Sequence, residues 1–240
     1  MKDRFSNHAK QYAAFRPKYP DALYNTLFKQ VSSFGVAWDA GTGNGQAAIV
    51  LAKHFERVHA TDISAKQLEN AENAENIVYA VGETCGLPDH AVDLITVAQA
   101  IHWFDCEKFY MECARVGKPG AVVAVWGYGL LTVEDSIDEA IRDFYVSVVG
   151  SFWDHERKHI DQHYRTIGFP FAEITTPSFI MPFHWTLAEL EGYLTTWSAV
   201  QKFMQVQGVN PVPELISKIR PRWKEKMNIK FPLFMKLGKI

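Results

Sequence analysis

The sequence lacks the features of secreted, disulfide-rich and membrane-spanning proteins. It has three cysteines, Cys85, Cys106 and Cys113, and no CxxC pair, which argues against a disulfide framework and a zinc ribbon. No apolar run approaches the ~18 residues that a membrane-spanning helix needs. The N-terminus has no apolar signal-peptide core. We therefore expect a cytoplasmic protein with no membrane partner.

An excess of charge of one sign is also missing. Lys and Arg number 25 and Asp and Glu 27, so the formal net charge is only −2, and the charges are interspersed. This balance gives no attraction for a phosphate backbone, so no nucleic-acid partner is expected. A hydrophobic fraction of 48% is typical of a packed globular chain.

Apolar segments alternate with helical patterns through the first half of the chain. Buried strands separated by helices predict a parallel sheet covered on both faces, as in α/β doubly wound proteins. The second half reads as mostly helical, with an extended segment and a final strand. No linker divides the chain, so we expect one domain over residues 1–240. Its expected parts are a helical cap (1–35), a ligand-binding core (36–127) and remaining strands with a helical cover (128–240). The predicted strands are Val36–Asp39, Arg57–Asp62, Ile77–Val81, Val92–Ala98, Ala121–Trp126 and Ile229–Leu237.

A glycine turn follows the first predicted strand. Gly41, Gly43 and Gly45 precede a helix start, a geometry that lets backbone approach a ligand closely. The third glycine of a dinucleotide fingerprint would fall where Gln46 stands. Asp39 suits a ligand with a cationic amino group and opposes a pyrophosphate. Asp62, at the next strand end, is placed to accept from ribose hydroxyls. The pair favours a nucleoside that carries an amino acid.

These motifs resemble those of class I S-adenosylmethionine-dependent methyltransferases. The resemblance implies S-adenosylmethionine as cofactor and a Rossmann-like, doubly wound, seven-stranded, mostly parallel sheet whose last strand is antiparallel, with a helical cover. Three further segments are similar to the trans-aconitate methyltransferase-like subgroup. The family segments are Asp39–Gly45, Asp62–Ser64 and Lys118–Gly120, and the subgroup segments are Tyr12–Pro20, Ala98–Asp105 and Tyr193–Ala199.

The resemblance also implies a cofactor site. The glycine turn with Asp39 would line the methionine moiety, Asp62 would bind the ribose, and Ile63 would pack on the adenine. Many relatives have an Ala-Glu pair where this chain has Thr84-Cys85, so the adenine amino group would meet either Glu83 or backbone groups. The cofactor residues implied are Tyr12, Arg16, Tyr19, Asp39, Gly41, Thr42, Gly43, Gly45, Asp62, Ile63, Thr84, Cys85 and Gln99.

One histidine and three tryptophans are the candidates for the acceptor side. His102 would be the catalytic base for a hydroxyl or amine acceptor, whereas an ionised carboxylate needs no base. A His102 that only shapes the pocket is the preferred interpretation. Trp103, Trp126 and Trp197 are predicted as the pocket wall, where aromatic faces also attract a sulfonium, although tryptophans are often simply core residues.

The predicted activity is methyl transfer to a small-molecule acceptor, through a carboxylate or another oxygen. The alternatives are a nicotinamide-dependent oxidoreductase and a non-catalytic cofactor-binding protein. The segment His155–His159 matches the H-E-x-x-H zinc pattern literally, and His163 follows four residues later. The charged surroundings favour a chance match, and no metal is expected. The sequence predicts neither the acceptor's identity nor the oligomeric state.

Overall fold

The computed structural model describes residues 17–240. One sheet runs through this part of the chain, in the strand order β3-β2-β1-β4-β5-β8-β6, and β7 pairs with β8 beside β6. The strands are β1 (Val36–Ala40), β2 (Arg57–Asp62), β3 (Ile77–Val81), β4 (Val92–Ala98), β5 (Gly117–Tyr128), β6 (Ala172–Glu173), β7 (Phe179–Trp185) and β8 (Met227–Lys239).

The first five strands are parallel, and β8 is antiparallel to all of its neighbours. The edge beyond β8 consists of two pieces, since Ala172 of β6 pairs with Lys239 while Phe179 of β7 pairs with Leu233. Eight segments therefore occupy seven positions. This arrangement confirms the predicted doubly wound sheet with an antiparallel last strand.

Nine α-helices occupy the described residues. Their starts follow local chemistry: Ser64 accepts a hydrogen bond from the Gln67 N–H, and Thr186 forms a capping box with Glu189. The helices are α1 (Asp21–Phe28), α2 (Ala48–Leu51), α3 (Ala65–Leu68), α4 (Cys106–Val116), α5 (Asp135–Asp143), α6 (Arg157–Asp161), α7 (Leu187–Thr195), α8 (Ser198–Gln207) and α9 (Val212–Ile219).

The region predicted as mostly helical between Val133 and Ile167 is more broken than expected. After α5 the chain makes a π-helical turn, then a 3-10 turn at Gly150–Phe152, and only five residues of α6 follow. His163 and Tyr164 then adopt left-handed backbone conformations, with φ of 53° and 57°. Left-handed residues cannot continue a right-handed helix, so α6 ends before them.

Two apolar clusters cover the sheet. Trp38, 0% exposed, belongs to one of them. Its indole N–H donates to Thr61 Oγ1 at 3.0 Å. Between residues 17 and 240 no helix combines the length and apolar character needed to cross a membrane.

Candidate functional site

Three neighbouring strands end at one edge of the sheet and bring the predicted polar residues together. Asp39 lies in β1, Asp62 ends β2 and Gln99 follows β4. β1 lies between the other two strands, so their carboxyl ends are adjacent. In open α/β sheets ligands bind outside the carboxyl ends of the strands, where the strand order reverses.

Asp39 is a buried carboxylate held by two hydroxyl groups. Thr42 Oγ1 donates to its Oδ2 at 2.5 Å and Thr96 Oγ1 donates to its Oδ1 at 2.7 Å. Burial raises the pKa of Asp39 to about 6, with a smaller rise from Asp62 and opposing effects from the two hydroxyl donors. Sequence reasoning missed Thr96. The sequence signal for Thr96 was a hydroxyl residue within an otherwise apolar strand. The structure places it in register with Asp39.

The surroundings of the three glycines in the turn differ from one position to the next. All three have positive φ: 65° at Gly41, 58° at Gly43 and 80° at Gly45. A Cβ at Gly41 would lie 2.7 Å from Ala100 Cβ, and one at Gly45 would collide with Tyr79 Oη. A Cβ at Gly43 would meet no heavy atom of the described residues within 4 Å. Gly43 is therefore the glycine of the turn that faces open space among the described residues.

Backbone groups orient the Asp62 carboxylate. The Gly43 N–H donates to its Oδ2 at 2.8 Å, and the Ser64 N–H donates to its Oδ1 at 2.9 Å. One turn N–H that would otherwise attract a phosphate is thus already satisfied by a carboxylate. This arrangement fits a ribose beside a neutral or cationic group better than it fits a pyrophosphate.

Gln99 has a strained backbone and an unsatisfied side-chain oxygen. Its φ is 57°, a conformation that a non-glycine residue rarely adopts. Its N–H donates to the Trp126 carbonyl at 2.9 Å and its Nε2 donates to the Tyr128 carbonyl at 3.4 Å. Within residues 17–240 its buried Oε1 has no hydrogen-bond partner. Strain and a lone buried acceptor at a strand end indicate a ligand site.

A cavity of about 100 Å³ lies beyond β3, between the loop after that strand and α4. Phe104 and Phe109 are among its lining residues, edge to face at 5.0 Å. The half-buried Ile63 is part of neither described apolar cluster. Cys85 is not brought to the cavity: it is 8% exposed and packs in the cluster that contains Trp38. The lining residues are Glu83, Thr84, Phe104, Asp105, Lys108, Phe109 and Glu112.

The N-terminal segment reaches the glycine turn. Gln46, at the place of the third dinucleotide glycine, donates from Nε2 to the Pro17 carbonyl at 3.1 Å. Tyr19 packs edge to face on Trp126, with ring centroids 5.5 Å apart. Two further predicted residues of this segment, Tyr12 and Arg16, lie outside the described residues.

A second cavity, of about 50 Å³, has Gln99 in its lining. Its lining also includes His102, Trp103 and Trp197, three of the residues predicted for the acceptor side. Trp126 does not line it: this residue is 0% exposed and belongs to an apolar cluster of the core. The complete lining is Gln99, His102, Trp103, Trp153, Asp154, Arg157, Ile160, Tyr193, Trp197 and Ser198.

Arg157 and Trp153 line this cavity, although sequence reasoning favours a solvated helix surface for Arg157 and a core or cover position for Trp153. Both lie in the broken region after α5, where no motif identifies them. The signal available was weak, since one tryptophan and one arginine four residues apart are common on helix surfaces. Their place in the cavity depends on the turns that precede α6.

His102 is buried and paired. It is 8% exposed, and its Nδ1 lies 3.0 Å from Tyr164 Oη. Burial, with a smaller contribution from the nearby positive charge of Arg157, lowers the pKa of His102 to about 3. The imidazole is therefore neutral at pH 7 and can exchange hydrogen bonds within the pocket.

The three histidines of the zinc-like motif do not converge. His155 Nε2 lies 2.6 Å from Lys158 Nζ, His159 Nδ1 lies 2.7 Å from Thr166 Oγ1, and the His163 ring stacks on Phe234 at 4.9 Å. Among residues 17–240 no group of three or more His, Cys, Asp or Glu side chains is arranged to hold a metal.

Comparisons with known proteins agree with this geometry. A family model described as a methyltransferase domain matches residues 38–125. A Dictyostelium discoideum protein named "Putative methyltransferase" is 32% identical over 99% of this chain and 95% of its own length. A Saccharomyces cerevisiae protein named as an S-adenosylmethionine-dependent methyltransferase is 27% identical over 65% of this chain and 56% of its own length.

A solved structure gives the same result. The structure titled "Putative Type II Methyltransferase" from Anaeromyxobacter dehalogenans superposes with a TM-score of 0.86 and is 37% identical, covering 94% of this chain and 98% of its own. Agreement over nearly the whole of both chains establishes more than a shared nucleotide-binding core. The chain therefore belongs to the class I S-adenosylmethionine-dependent methyltransferases, and S-adenosylmethionine is its cofactor.

Proposed function

We propose that this methyltransferase acts on a small acceptor that presents a carboxylate or another oxygen nucleophile, and that residues 1–240 form one catalytic domain. The observation that carries the proposal is the cavity beside Gln99, which combines tryptophan walls with a cationic Arg157. Its volume of about 50 Å³ suits part of a small molecule better than a macromolecule. Trans-aconitate, suggested by the subgroup resemblance, belongs to this chemical class.

The cofactor would lie across the ends of β1, β2 and β4. Asp39 would face its amino group, with Gly41 and Gly43 along the methionine moiety and Asp62 at the ribose hydroxyls. These assignments are supported by the buried carboxylate, the open space at Gly43 and the oriented Asp62 oxygens. Thr42 would act through Asp39, and Gly45 by permitting the contact with Tyr79.

The adenine would occupy the cavity of about 100 Å³ beyond β3. Ile63 and Phe104 would pack on the base, and Glu83 with Thr84 would approach its polar edge. In this proposal Cys85 supports the loop from within the core instead of touching the adenine. Tyr12, Arg16 and Tyr19 would belong to the segment that covers the cofactor, and Gln99 would lie beside the methionine portion.

The protein's own contribution to the reaction would be position and exclusion of water. When bound, S-adenosylmethionine supplies a methyl group on a sulfonium, which is ready for in-line displacement. The walls at Trp103 and Trp197 would hold the acceptor oxygen in line with that group. His102, with its pKa lowered to about 3, is a weak base. We propose that it hydrogen-bonds the acceptor, a role that suits an acceptor already ionised at pH 7.

Family membership disfavours the nicotinamide-dependent alternative. A protein that binds the cofactor without turning it over is the remaining alternative. Incubation of the protein with a metabolite extract and S-adenosylmethionine carrying a deuterated methyl group distinguishes methyl transfer from cofactor binding without turnover. We expect a product carrying the labelled methyl, detected by mass spectrometry and absent with Asp39→Asn. A methyl ester would release methanol in alkali, and an ether or amine would not. No labelled product from any extract would contradict the proposal.

A further inference from the structure

We infer that Arg157 is the acceptor-recognition residue, binding an anionic group of the acceptor that is separate from the atom receiving the methyl group. This inference rests on the proposed function. It assigns the acceptor a chemical class: a small molecule with a carboxylate anchor and a second nucleophilic oxygen.

The Arg157 guanidinium is held rigidly at the cavity wall. Its central carbon lies 4.7 Å from the Trp153 ring centroid and 5.4 Å from that of Tyr145. Its Nε donates to Tyr145 Oη at 2.8 Å and lies 3.5 Å from Asp161 Oδ1. Tyr145 Oη in turn donates to Asp161 Oδ1 at 2.8 Å. Stacking and this network fix the plane of the guanidinium before any ligand arrives.

The terminal nitrogens of Arg157 remain available to a ligand. Both of its described polar contacts use Nε, and its terminal nitrogens have no partner within residues 17–240. A guanidinium with a fixed plane and two unused N–H groups matches a carboxylate bidentately. The side chain is 21% exposed, so such a pair would form in a largely desolvated place.

The other charged groups near the cavity do not compete with Arg157 for an anionic group of the acceptor. Asp154 lines the same cavity, but its Oδ1 lies 2.6 Å from Lys202 Nζ, and each of the two charges offsets the other. Asp161 is 46% exposed, so solvent screens its attraction for the guanidinium. His102 is neutral. Arg157 is thus the cationic lining residue of the described cavity.

A carboxylate held by Arg157 is poorly suited to accept the methyl group. Bidentate hydrogen bonds engage the lone pairs that would attack the sulfonium, and the positive charge lowers their nucleophilicity. The cavity volume of about 50 Å³ has room for a carboxylate-sized group, since one water needs roughly 10–15 Å³ by the same measure. The rest of the acceptor would extend towards Gln99, with its second oxygen at the methyl group.

The test is isothermal titration of the protein saturated with S-adenosylhomocysteine. The probes are succinate, glutarate and the uncharged succinamide. We expect the two dicarboxylates to bind, succinamide not to bind, and Arg157→Gln to weaken dicarboxylate binding about 10- to 150-fold, the range for a lost charged hydrogen bond. Arg157→Lys keeps the positive charge but loses the bidentate geometry of the guanidinium. Its dicarboxylate affinity should therefore lie between those of wild type and Arg157→Gln. Arg165→Gln, on an exposed arginine outside the cavity, is the matched control and should bind like wild type.

The possible outcomes distinguish failure of the inference from failure of the proposed function and from loss of structure. No dicarboxylate binding, or equal binding by wild type and Arg157→Gln, overturns the inference while the proposed function stands. Failure of the wild type to bind S-adenosylhomocysteine overturns the proposed function instead. If Arg157→Gln also loses S-adenosylhomocysteine binding, loss of structure is the cause, and Arg157→Lys then decides: dicarboxylate affinity equal to that of Arg165→Lys overturns the inference.

Discussion

The proposed cofactor side and the proposed acceptor side of the site are built differently. On the cofactor side, backbone turns and short side chains lie within a few residues of three strand ends: Asp39 with its glycine turn, Asp62 and Gln99. The cavity beside Gln99, proposed for the acceptor, is lined by side chains from residue 99 to residue 198, on short helices and irregular turns. The first side is specified by local sequence together with strand order, and the second depends on how distant segments pack. Four changes test this contrast.

The largest expected effect is from Asp39→Asn. The amide has nearly the same size but cannot carry the charge that would attract a cationic amino group. We expect S-adenosylhomocysteine affinity to fall about 10- to 150-fold, the range of a charged hydrogen bond, and isothermal titration measures it. The thermal midpoint should not fall. Asp89→Asn, at an exposed aspartate paired with Arg115, is the control. Unchanged affinity in Asp39→Asn would disprove the placement of the amino-acid moiety.

Three glycine-to-alanine variants distinguish the cost of backbone strain at positive φ from the cost of a steric contact made by the added Cβ. Gly41, Gly43 and Gly120 all have positive φ, so each substitution should cost about 1 kcal/mol of unfolding free energy. Gly41→Ala adds a contact 2.7 Å from Ala100 Cβ and should cost more. Denaturant titration measures these differences.

The same variants should differ in cofactor affinity. Gly43→Ala and Gly120→Ala both place their Cβ in open space among the described residues, so their stabilities should match. Gly43→Ala alone should weaken S-adenosylhomocysteine binding, by severalfold or more. Equal affinities in these two variants would show that the ligand does not pass Gly43.

The pH dependence of cofactor binding should reflect the ionisation of the Asp39 carboxyl group. Its pKa is raised to about 6 in the protein without cofactor, so between pH 4 and 6 the folded state binds more protons than the unfolded state. Ionisation therefore lowers stability as the pH rises through this window, by about 3 kcal/mol for a shift of this size. Cofactor affinity should rise over the same window, because binding requires the carboxylate. Titrations from pH 5 to 8 should lose this rise in Asp39→Asn.

The smallest expected effect belongs to the acceptor side. Tyr164→Phe removes the hydroxyl at His102 Nδ1 but keeps the packing against Phe234. Loss of one hydrogen bond of about 1 kcal/mol corresponds to roughly a fivefold loss of methyl transfer, with cofactor affinity unchanged. Steady-state rates of methyl transfer from the labelled S-adenosylmethionine to the identified acceptor measure it. A parallel loss of S-adenosylhomocysteine binding would mean that the two sides of the site are not separable.

Much of the sheet could be predicted because its strands are continuous apolar runs ending in turns. The helical cover was harder. The segment after α5 has a helical pattern, yet its π-helical turn, 3-10 turn and left-handed His163–Tyr164 pair place Trp153 and Arg157 in the cavity. Periodicity does not show such breaks, because tertiary packing overrides helix propensity there.

Trp126 and Cys85 show the same limit at single residues. Both were expected at the ligand site, and both side chains are instead buried in the apolar clusters of the core. For Trp126, which lies in β5, the physical reason is that successive side chains of a strand face opposite sides of the sheet, so a position near the end of a strand does not by itself fix which side its residue faces.

The doubly wound core and the acid and glycine turn at the end of β1 could be read from the sequence alone, and they pointed to the cofactor, because backbone conformation and strand-end chemistry are local properties. The packing of distant segments was needed to show that Thr96 supports Asp39, that Gln99 Oε1 is unsatisfied among the described residues, and that Arg157 lines the cavity beside Gln99. Those features depend on contacts between residues far apart in the chain, and such contacts exist only once the core has packed.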